Sequence, residues 1–489
     1  MNCEKCGSDN MKHLGVRFMG VKKILKYRCE DCSNEVSYDY KETKEIPEGN
    51  LVVTSVISGS EINEKFLASL KTYCRLNRAR LIILPVNNEK HFTDLNIDRS
   101  IQSLICYDNL SIGNATNIMG AIKLGATLES PLHGITPFSK GKNVVFGHPQ
   151  IQLKTLPRKA EKYPTIITTT GTISLPNYGE NKTAQKANFN HSFAALFIDG
   201  NNPSKMRHLN FDGDGFYDIN GYYTETGRKQ ITSIEAIVTG DEHVLLGDKD
   251  VAEATYGKGG IVDTLKPKYI VRHDVLDCYS VSHHHKYNVF TRYAKHIGGV
   301  DSIENELNQT LDFIKKTTPK NAVSIIIPSN HNSHLLRWLQ ECDPKHDMVN
   351  AKIYHQLMCL MLSKVTLENN MAKYPDPFTE WASDKIGENI KFLSPADTFI
   401  ISDIDINNHG DLGVNGSRGS NTQYKDLPLK SIIGHSHSPG IAGGSYQVGT
   451  SSHLRLEYNC GLSSWDQTHC IIYPNGKRQL IFIRDGEWK

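Results

Sequence analysis

In the second half of the chain, histidines and aspartates recur directly after short apolar segments, and no other feature constrains the fold as strongly. Fifteen of the 21 histidines lie at or after residue 241. Loops that follow neighbouring strands meet at one edge of a sheet, so the pattern predicts an α/β fold in which distant segments build one site. The five groups of side chains are Asp241 with His243, Asp274 with Asp277, Asn330 with His331 and His334, His409, and His435 with His437.

The chemistry of these side chains favours divalent transition metals. Imidazole and carboxylate together suit Mn²⁺, Fe²⁺ or Zn²⁺, whereas an all-oxygen set would favour Mg²⁺ or Ca²⁺. The set is large enough for two ions, and two neighbouring cations need a shared carboxylate that offsets their repulsion. Asp274 is the candidate for this bridging ligand. Each short motif by itself is far more often ordinary core or loop chemistry, so the inference depends on the ordered set.

Length and composition exclude several classes of protein. The 489 residues predict two or three domains, and the 38% hydrophobic and 22% charged residues are typical of an ordinary enzyme. No apolar segment is long enough to cross a bilayer, and the start of the chain lacks the features of a secretion signal, so we expect a cytoplasmic protein without a membrane partner. A net charge of +2 gives no global attraction to polyanions. Any contact with nucleic acid must therefore be local.

Two C-x-x-C motifs near the start of the chain have the spacing of a structural zinc site. Four thiolates around one Zn²⁺ allow a segment of about 45 residues to fold without a large core of its own. The other seven cysteines are scattered, which argues against a disulfide framework. We therefore predict a zinc ribbon over residues 1–45. Its ligands are Cys3, Cys6, Cys29 and Cys32.

The segment between the two cysteine pairs is basic. No acidic residue occurs from Met11 to Tyr27, and the pattern resembles the zinc ribbons at the start of many transposases. Such ribbons hold DNA backbones through charge, in a largely sequence-independent way. The alternative is a ribbon that serves only folding or contact with another protein. The candidate DNA contacts are Lys22, Lys23, Lys26 and Arg28.

The middle of the chain has the pattern of a parallel sheet. A polar segment from Asp39 to Asn50 is typical of a linker, and it is followed by an apolar strand, an amphipathic helix over residues 61–75 and a second strand. Further strands are predicted over residues 143–146, 165–169 and 194–198. We predict a middle α/β domain of unknown role over residues 46–232 and a catalytic domain over residues 233–489.

The order of the metal-binding groups resembles the calcineurin-like metallophosphoesterases. The resemblance covers residues 241–437, and GHSH at 434–437 is its most specific motif. It implies a metallophosphoesterase sandwich with two divalent ions, Mn²⁺ being the expected metal. One ion would be held by Asp241, His243, Asp274 and His437, and the second by Asp274, Asn330, His409 and His435. Catalysis would rest on Asp274, as the bridging ligand, and on His331, which matches the family's histidine beside the leaving group.

The sequence departs from the family pattern at two positions. His273 replaces the glycine that normally precedes the second aspartate, which puts the backbone turn in question. Asn332 replaces a carboxylate that would orient His331, which favours a weaker general acid. The nearby run from His283 to His285 is expected to be a solvated face, with contact to phosphate as the alternative.

A basic ribbon joined to a phosphodiesterase centre predicts a DNase that acts on duplex DNA. The motif series is similar to that of SbcD-like repair nucleases. The segments HGDLGVNGSRGS and TGTISLPNYG resemble phage DNases made immediately after first-step DNA transfer, which implies action in the host cytoplasm. Arg418, in the first of these segments, is a candidate phosphate contact, and a homo-oligomer stays open.

Two other functions stay open at this stage. The first is a phosphomonoesterase or nucleotide phosphodiesterase whose ribbon docks a protein. The second is a non-catalytic DNA-binding protein with a structural metal site.

Overall fold

The computed structural model divides into two compact units, Met1–Leu156 with Thr165–Gln230 and Pro157–Pro164 with Ile231–Lys489. It describes residues 3–19, 22–39, 44–46, 49–86, 96–120, 122, 124–159 and 162–489. Both units combine helices with several sheets, so the general prediction of an α/β protein is confirmed. Within these ranges, no helix has both the length and the hydropathy needed to cross a membrane.

The first unit contains sixteen strands and three α-helices in its described part. The strands are β1 Met11–Met19, β2 Lys22–Cys29, β3 Glu35–Asp39, β4 Lys44–Glu45, β5 Asn50–Ile57, β6 Ala79–Val86, β7 Leu110–Ile112, β8 Thr116–Met119, β9 Asn143–Phe146, β10 Leu153–Leu156, β11 Thr165–Thr169, β12 Ala194–Ile198, β13 Met206–Asn210, β14 Phe216–Asp218, β15 Gly221–Thr224 and β16 Gly227–Gln230. The helices are α1 Glu64–Leu76, α2 Thr136–Ser139 and α3 Lys182–Phe189.

The predicted β–α–β segment is present in this unit, directly after β4. Strands β5 and β6 pair in parallel, and α1 connects them. The side chain of Asn63 caps the first turn of α1 by accepting a hydrogen bond from the backbone N–H of Phe66. The strands predicted over residues 143–146, 165–169 and 194–198 are confirmed as β9, β11 and β12. Continuous apolar runs were sufficient to locate these strands because each one is buried.

The second unit contains thirteen strands and eight α-helices in its described part. The strands are β17 Ala236–Val238, β18 Tyr269–Arg272, β19 Val323–Ile326, β20 Thr366–Glu368, β21 Met371–Lys373, β22 Ile390–Phe392, β23 Ile400–Ile401, β24 Ile404–Asp405, β25 Lys430–Ile433, β26 Gly440–Ala442, β27 Ser445–Gln447, β28 Thr468–Ile472 and β29 Arg478–Phe482. The helices are α4 Lys249–Tyr256, α5 Ile261–Leu265, α6 Val289–Ile297, α7 Ile303–Lys316, α8 Asn332–Glu341, α9 Ala351–Leu362, α10 Pro377–Ala382 and α11 Asn421–Tyr424.

Two groups of strands supply the ends at which the site is built. Six strands form a sheet in the order β22-β19-β18-β17-β28-β29, and the first four of these are parallel. Five further strands follow the order β23-β24-β25-β27-β26, with β24 parallel to β25. Strands β17, β18 and β19 are almost wholly buried and rich in isoleucine and valine, as expected for parallel strands covered on both faces.

A buried ion pair joins the loops that follow β17 and β18. The guanidinium of Arg272, the last residue of β18, donates to both carboxylate oxygens of Glu242, over distances of 2.9 and 3.1 Å. It also donates to the hydroxyls of Tyr256, Ser324 and Thr317. Because Glu242 lies between Asp241 and His243, and Arg272 directly precedes His273 and Asp274, this pair fixes two of the predicted metal-binding loops relative to each other.

Replacement of Arg272 by methionine is expected to destabilise the second unit. The change leaves the carboxylate of Glu242 buried without its cation, which costs about 3–5 kcal/mol of the free energy of unfolding. The double variant Arg272→Met/Glu242→Gln should recover part of this loss, because no buried charge is left unpaired. Chemical denaturation followed by circular dichroism measures both effects.

Lys268→Met provides the matched control, since Lys268 makes an exposed ion pair with Glu235 at 2.8 Å. Loss of such a pair costs at most about 1 kcal/mol. Equal stability of Arg272→Met and Lys268→Met would contradict the structural role assigned to Arg272.

Candidate metal centre

The five groups of metal-binding side chains lie directly after strands, as predicted. Asp241 follows β17, Asp274 follows β18 and Asn330 follows β19, at the same edge of the parallel part of one sheet. His409 and His435 follow β24 and β25, which are also parallel. These side chains therefore lie close together because the strands before them run in the same direction, and not because they are close in the sequence.

Four of the predicted ligands form one compact, fully buried set. One potential ligand atom from each of Asp241, His243, Asp274 and His437 lies within 4.8 Å of the others. Nε2 of His437 is 3.0 Å from Asp241 Oδ2 and 3.0 Å from Nε2 of His243. Nε2 of His243 is 3.9 Å from Asp274 Oδ2. Two carboxylates and two imidazoles at this separation match the donor set of a transition-metal ion.

Several of these atoms lack the partners that buried polar atoms normally have. Among the described residues, neither carboxylate oxygen of Asp241 has a hydrogen-bond partner, and the same holds for Asp274 Oδ1, His409 Nε2 and His437 Nδ1. The 3.0 Å approach of His437 to Asp241 therefore does not have hydrogen-bond geometry. Buried charges without donors are costly unless they are paired or bind a metal, so the residues present fit a divalent cation.

Both carboxylates are ionised in this environment. Burial opposes ionisation of Asp241, but His437 and His409 hold its pKa below the ordinary value. Burial likewise opposes ionisation of Asp274, and His409, His331 and His243 hold its pKa well below the ordinary value. The centre thus offers two buried negative charges to a cation.

The predicted second set is also brought together. Asp274 Oδ2 lies 3.0 Å from Nε2 of His409, and Oδ1 of Asn330 lies 3.1 Å from Nδ1 of His435. The ring centroids of His409 and His435 are 5.3 Å apart. Asp274 therefore lies next to ligands of both predicted sets, which is the position a bridging carboxylate requires.

His273 is a member of the centre that the sequence analysis treated only as a departure from the family pattern. Its ring is fully buried, and its Nδ1 lies 3.2 Å from Nδ1 of His409. Burial and the neighbouring His409 lower the pKa of His273 to about 4, so this ring is neutral at neutral pH. It also forms a potential ligand group with Asp241 and His409. The only feature of the sequence that indicated a role for His273 was its position directly before Asp274.

Asp277 supplies the carboxylate that is missing at position 332. Its Oδ1 is 2.9 Å from Nδ1 of His243 and 3.4 Å from Nδ1 of His331, and its backbone oxygen is 3.1 Å from the same atom of His331. Burial lowers the pKa of His331, but Asp274 and Asp277 more than offset this and raise it to about 10. Asp277 thus orients both rings, although the sequence placed it only among the strand-end polar residues.

The backbone is strained at four of the predicted ligands. His243, Asp274, His435 and His437 have φ values of 39°, 42°, 69° and 57°, in the left-handed region that side chains with a Cβ rarely adopt. Each such residue costs about 1–2 kcal/mol. Strain of this kind is kept where the surrounding structure needs a particular side-chain position, as in binding and catalytic sites.

Gly434 allows β25 to approach the first ligand set. A Cβ built on this glycine would overlap Asp241 Oδ1 and would lie 3.0 Å from Nδ1 of His273. A cavity of about 600 Å³ opens beside the centre, and its lining includes Asn330, His409 and the loop 410–414. Arg418 follows this loop and is exposed.

The four cysteines of the predicted ribbon are brought together in the first unit. The Sγ atoms of Cys3 and Cys32 are 3.5 Å apart, as are those of Cys6 and Cys29, and all four lie within 4.8 Å of one another. Each C-x-x-C turn is closed by a backbone hydrogen bond to the first cysteine of the pair. The cluster fits one zinc ion, between loops that flank the antiparallel strands β1 and β2.

The predicted DNA contacts on the ribbon lie on strand β2. Arg28 and Lys26 both lie near the carboxylate of Glu35, at 2.6 and 3.9 Å. Their positive charge is therefore partly neutralised within the ribbon itself. The side chains of Lys22 and Lys23 lie outside the part of the structure that is described.

Fold and site together define a mixed α/β protein with a four-cysteine cluster that can hold zinc and a buried histidine–aspartate centre that can bind metal. The chain is 31% identical over 471 residues to Protein A1 of Escherichia phage T5, and the alignment covers 91% of this chain and 84% of that protein. The chain belongs to the family of this phage protein. No protein-family profile and no solved structure matches it.

Replacement of Gly434 by alanine is expected to weaken binding of divalent cations at the centre. The added Cβ must displace the carboxylate of Asp241, and loss of ligand positioning costs about 10–100-fold in metal affinity. Titration calorimetry with Mn²⁺ measures the change. Gly444→Ala is the matched control, because a Cβ there meets only ordinary contacts at 3.7 Å or more. Equal Mn²⁺ affinity of the two variants would contradict the close packing of β25 against Asp241.

Proposed function

We propose that the second unit is a calcineurin-like metallophosphoesterase that hydrolyses DNA phosphodiester bonds with two divalent metal ions. The observation that carries this proposal is the position of Asp274 between two sets of ligands. Its Oδ2 lies 3.0 Å from Nε2 of His409 and 3.9 Å from Nε2 of His243. Two cations can share a site only if a negative group between them offsets their repulsion.

The arrangement of the strands supports the same class. The ligands come from the ends of two groups of parallel strands, as a metallophosphoesterase sandwich requires. One ion would be held by Asp241, His243, Asp274 and His437, and the other by Asp274, Asn330, His409 and His435. Mixed imidazole and carboxylate donors favour Mn²⁺ over Mg²⁺.

Two divalent ions at this centre would neutralise charge on the phosphodiester and lower the pKa of an attacking water molecule towards about 7. The chain's own contribution is to hold the reacting groups in place. Asp277 accepts the Nδ1 proton of His331, so Nε2 is the nitrogen left to face a substrate. The contact with Asp277 favours the protonated form of His331, which would donate its proton to the departing 3′ oxygen.

Duplex DNA is the proposed substrate because of features outside the centre. The basic ribbon offers sequence-independent charge to a phosphate backbone, although Glu35 neutralises part of it. The cavity of about 600 Å³ beside Asn330 and His409 adjoins the proposed metal centre, and Arg418 lies on the loop between its lining residues Val414 and Gln423. The relative is a phage protein, which supports action in the cytoplasm of a host cell.

Replacement of Asp274 by asparagine is expected to abolish DNA cleavage. Metal-stripped protein is incubated with linear and circular duplex DNA, with and without added Mn²⁺. Loss of the shared ligand removes several kcal/mol of transition-state stabilisation, so cleavage should fall by at least about a thousandfold. Cleavage of the circular substrate would identify an endonuclease, whereas cleavage of the linear substrate alone would identify an exonuclease.

Asp312→Asn is the matched control, since Asp312 is an exposed aspartate on α7. It should cleave at the wild-type rate. Parallel assays with p-nitrophenyl phosphate and its bis ester report phosphomonoesterase and small-molecule phosphodiesterase activity. Hydrolysis of these esters without any cleavage of DNA would overturn the DNase proposal, and absence of both activities with Mn²⁺ bound would overturn the phosphoesterase assignment itself.

A further inference from the structure

Three histidines form a second cluster of metal-binding side chains in the second unit. His283 and His284 belong to a short 3₁₀ turn, and His334 lies in the first turn of α8. One ring nitrogen from each lies within 4.8 Å of the other two. The ring centroids of His283 and His284 are 3.9 Å apart, and those of His283 and His334 are 4.9 Å apart. The run from His283 to His285 was expected to be a solvated face, but only His284 is exposed, whereas His283 and His285 are partly buried.

The ring nitrogens of this cluster have no competing partners. Among the described residues, none of them takes part in a hydrogen bond or an ion pair, and Nδ1 of His283 is buried without a partner. Buried ring nitrogens are normally hydrogen-bonded, so an unpartnered one points to a ligand.

The rings are also in a protonation state that allows coordination. Burial and the adjacent His331 lower the pKa of His334 to about 4, and burial together with His284 lowers the pKa of His283. Both rings are therefore neutral at neutral pH, and each has a lone pair on one nitrogen.

We propose that His283, His284 and His334 form a third site for a divalent cation, selective for an ion such as Zn²⁺. Three imidazoles with an open fourth position are a common catalytic-type Zn²⁺ ligand set. Zn–N bonds of about 2.0–2.1 Å separate tetrahedral ligands by roughly 3.4 Å, so small rotations of these side chains suffice. Because the site has no carboxylate ligand, it favours Zn²⁺ over Mn²⁺, in contrast to the centre built around Asp274.

This site lies at the outer end of a row of imidazole rings that begins at the centre. Successive ring centroids are 4.9 Å apart from His437 to His243, 4.8 Å from His243 to His331 and 4.8 Å from His331 to His334. The three-histidine site shares no ligand with the centre. It can therefore be occupied independently, and the proposal does not depend on the DNase activity.

Protection of His284 from diethyl pyrocarbonate tests the site directly. The reagent modifies neutral, accessible imidazoles, and mass spectrometry of the digested full-length protein measures the rate at His284. At free Zn²⁺ ten times the dissociation constant, the rate should fall about tenfold, because only the free fraction reacts. In His334→Gln and in His283→Gln, half-protection should require at least about tenfold more Zn²⁺. Asp274→Asn should leave the protection unchanged.

His346→Gln is the matched control, because His346 is an exposed histidine of the second unit outside this cluster. It should keep the wild-type Zn²⁺ dependence at His284. Modification of His284 that does not respond to Zn²⁺ would overturn the proposal. Protection that is the same in wild type, His334→Gln and His283→Gln would overturn it as well.

Discussion

Two ionised carboxylates are buried beside one another, and the arrangement of the second unit follows from the cost of holding them there. Asp241 and Asp274 are both fully buried, and nearby histidines keep the pKa of each below its ordinary value. Imidazoles from four different loops surround them, but most of these contacts lack hydrogen-bond geometry. Burying two negative charges together is costly, and a divalent cation bound between these side chains would offset that cost.

The surrounding structure keeps Asp241 and Asp274 in place despite the free-energy cost of burying their charges. The buried pair of Arg272 and Glu242 ties together the loops that carry Asp241 and Asp274. Left-handed backbone at His435 and His437 turns both rings of the GHSH motif, and the absence of a side chain at Gly434 lets the strand come close. Local strain is thus offset by packing elsewhere, as is usual for sites in which geometry matters more than stability.

Much of this organisation could be predicted from the sequence, for a clear physical reason. Buried parallel strands read as continuous apolar runs, so β9, β11 and β12 and the strands before each ligand group were identified, and strand direction then placed the ligands at common edges. The roles of His273 and Asp277 were missed because a loop sequence does not show which of its polar side chains turn inward. The contact between His283 and His334 could not be predicted either, because it depends on how α8 packs and not on a hydrophobic periodicity in the sequence.

The central claim is that two divalent ions share Asp274. Electron paramagnetic resonance of the Mn²⁺-loaded protein, combined with the count of bound Mn²⁺ per chain, tests this most directly. The account predicts two bound Mn²⁺ ions with the spectrum of an exchange-coupled pair. In the Asp274→Asn variant, the signal of isolated ions should replace that spectrum. Two uncoupled ions in the wild-type protein, or a single bound ion with the six-line signal of isolated Mn²⁺, would contradict it.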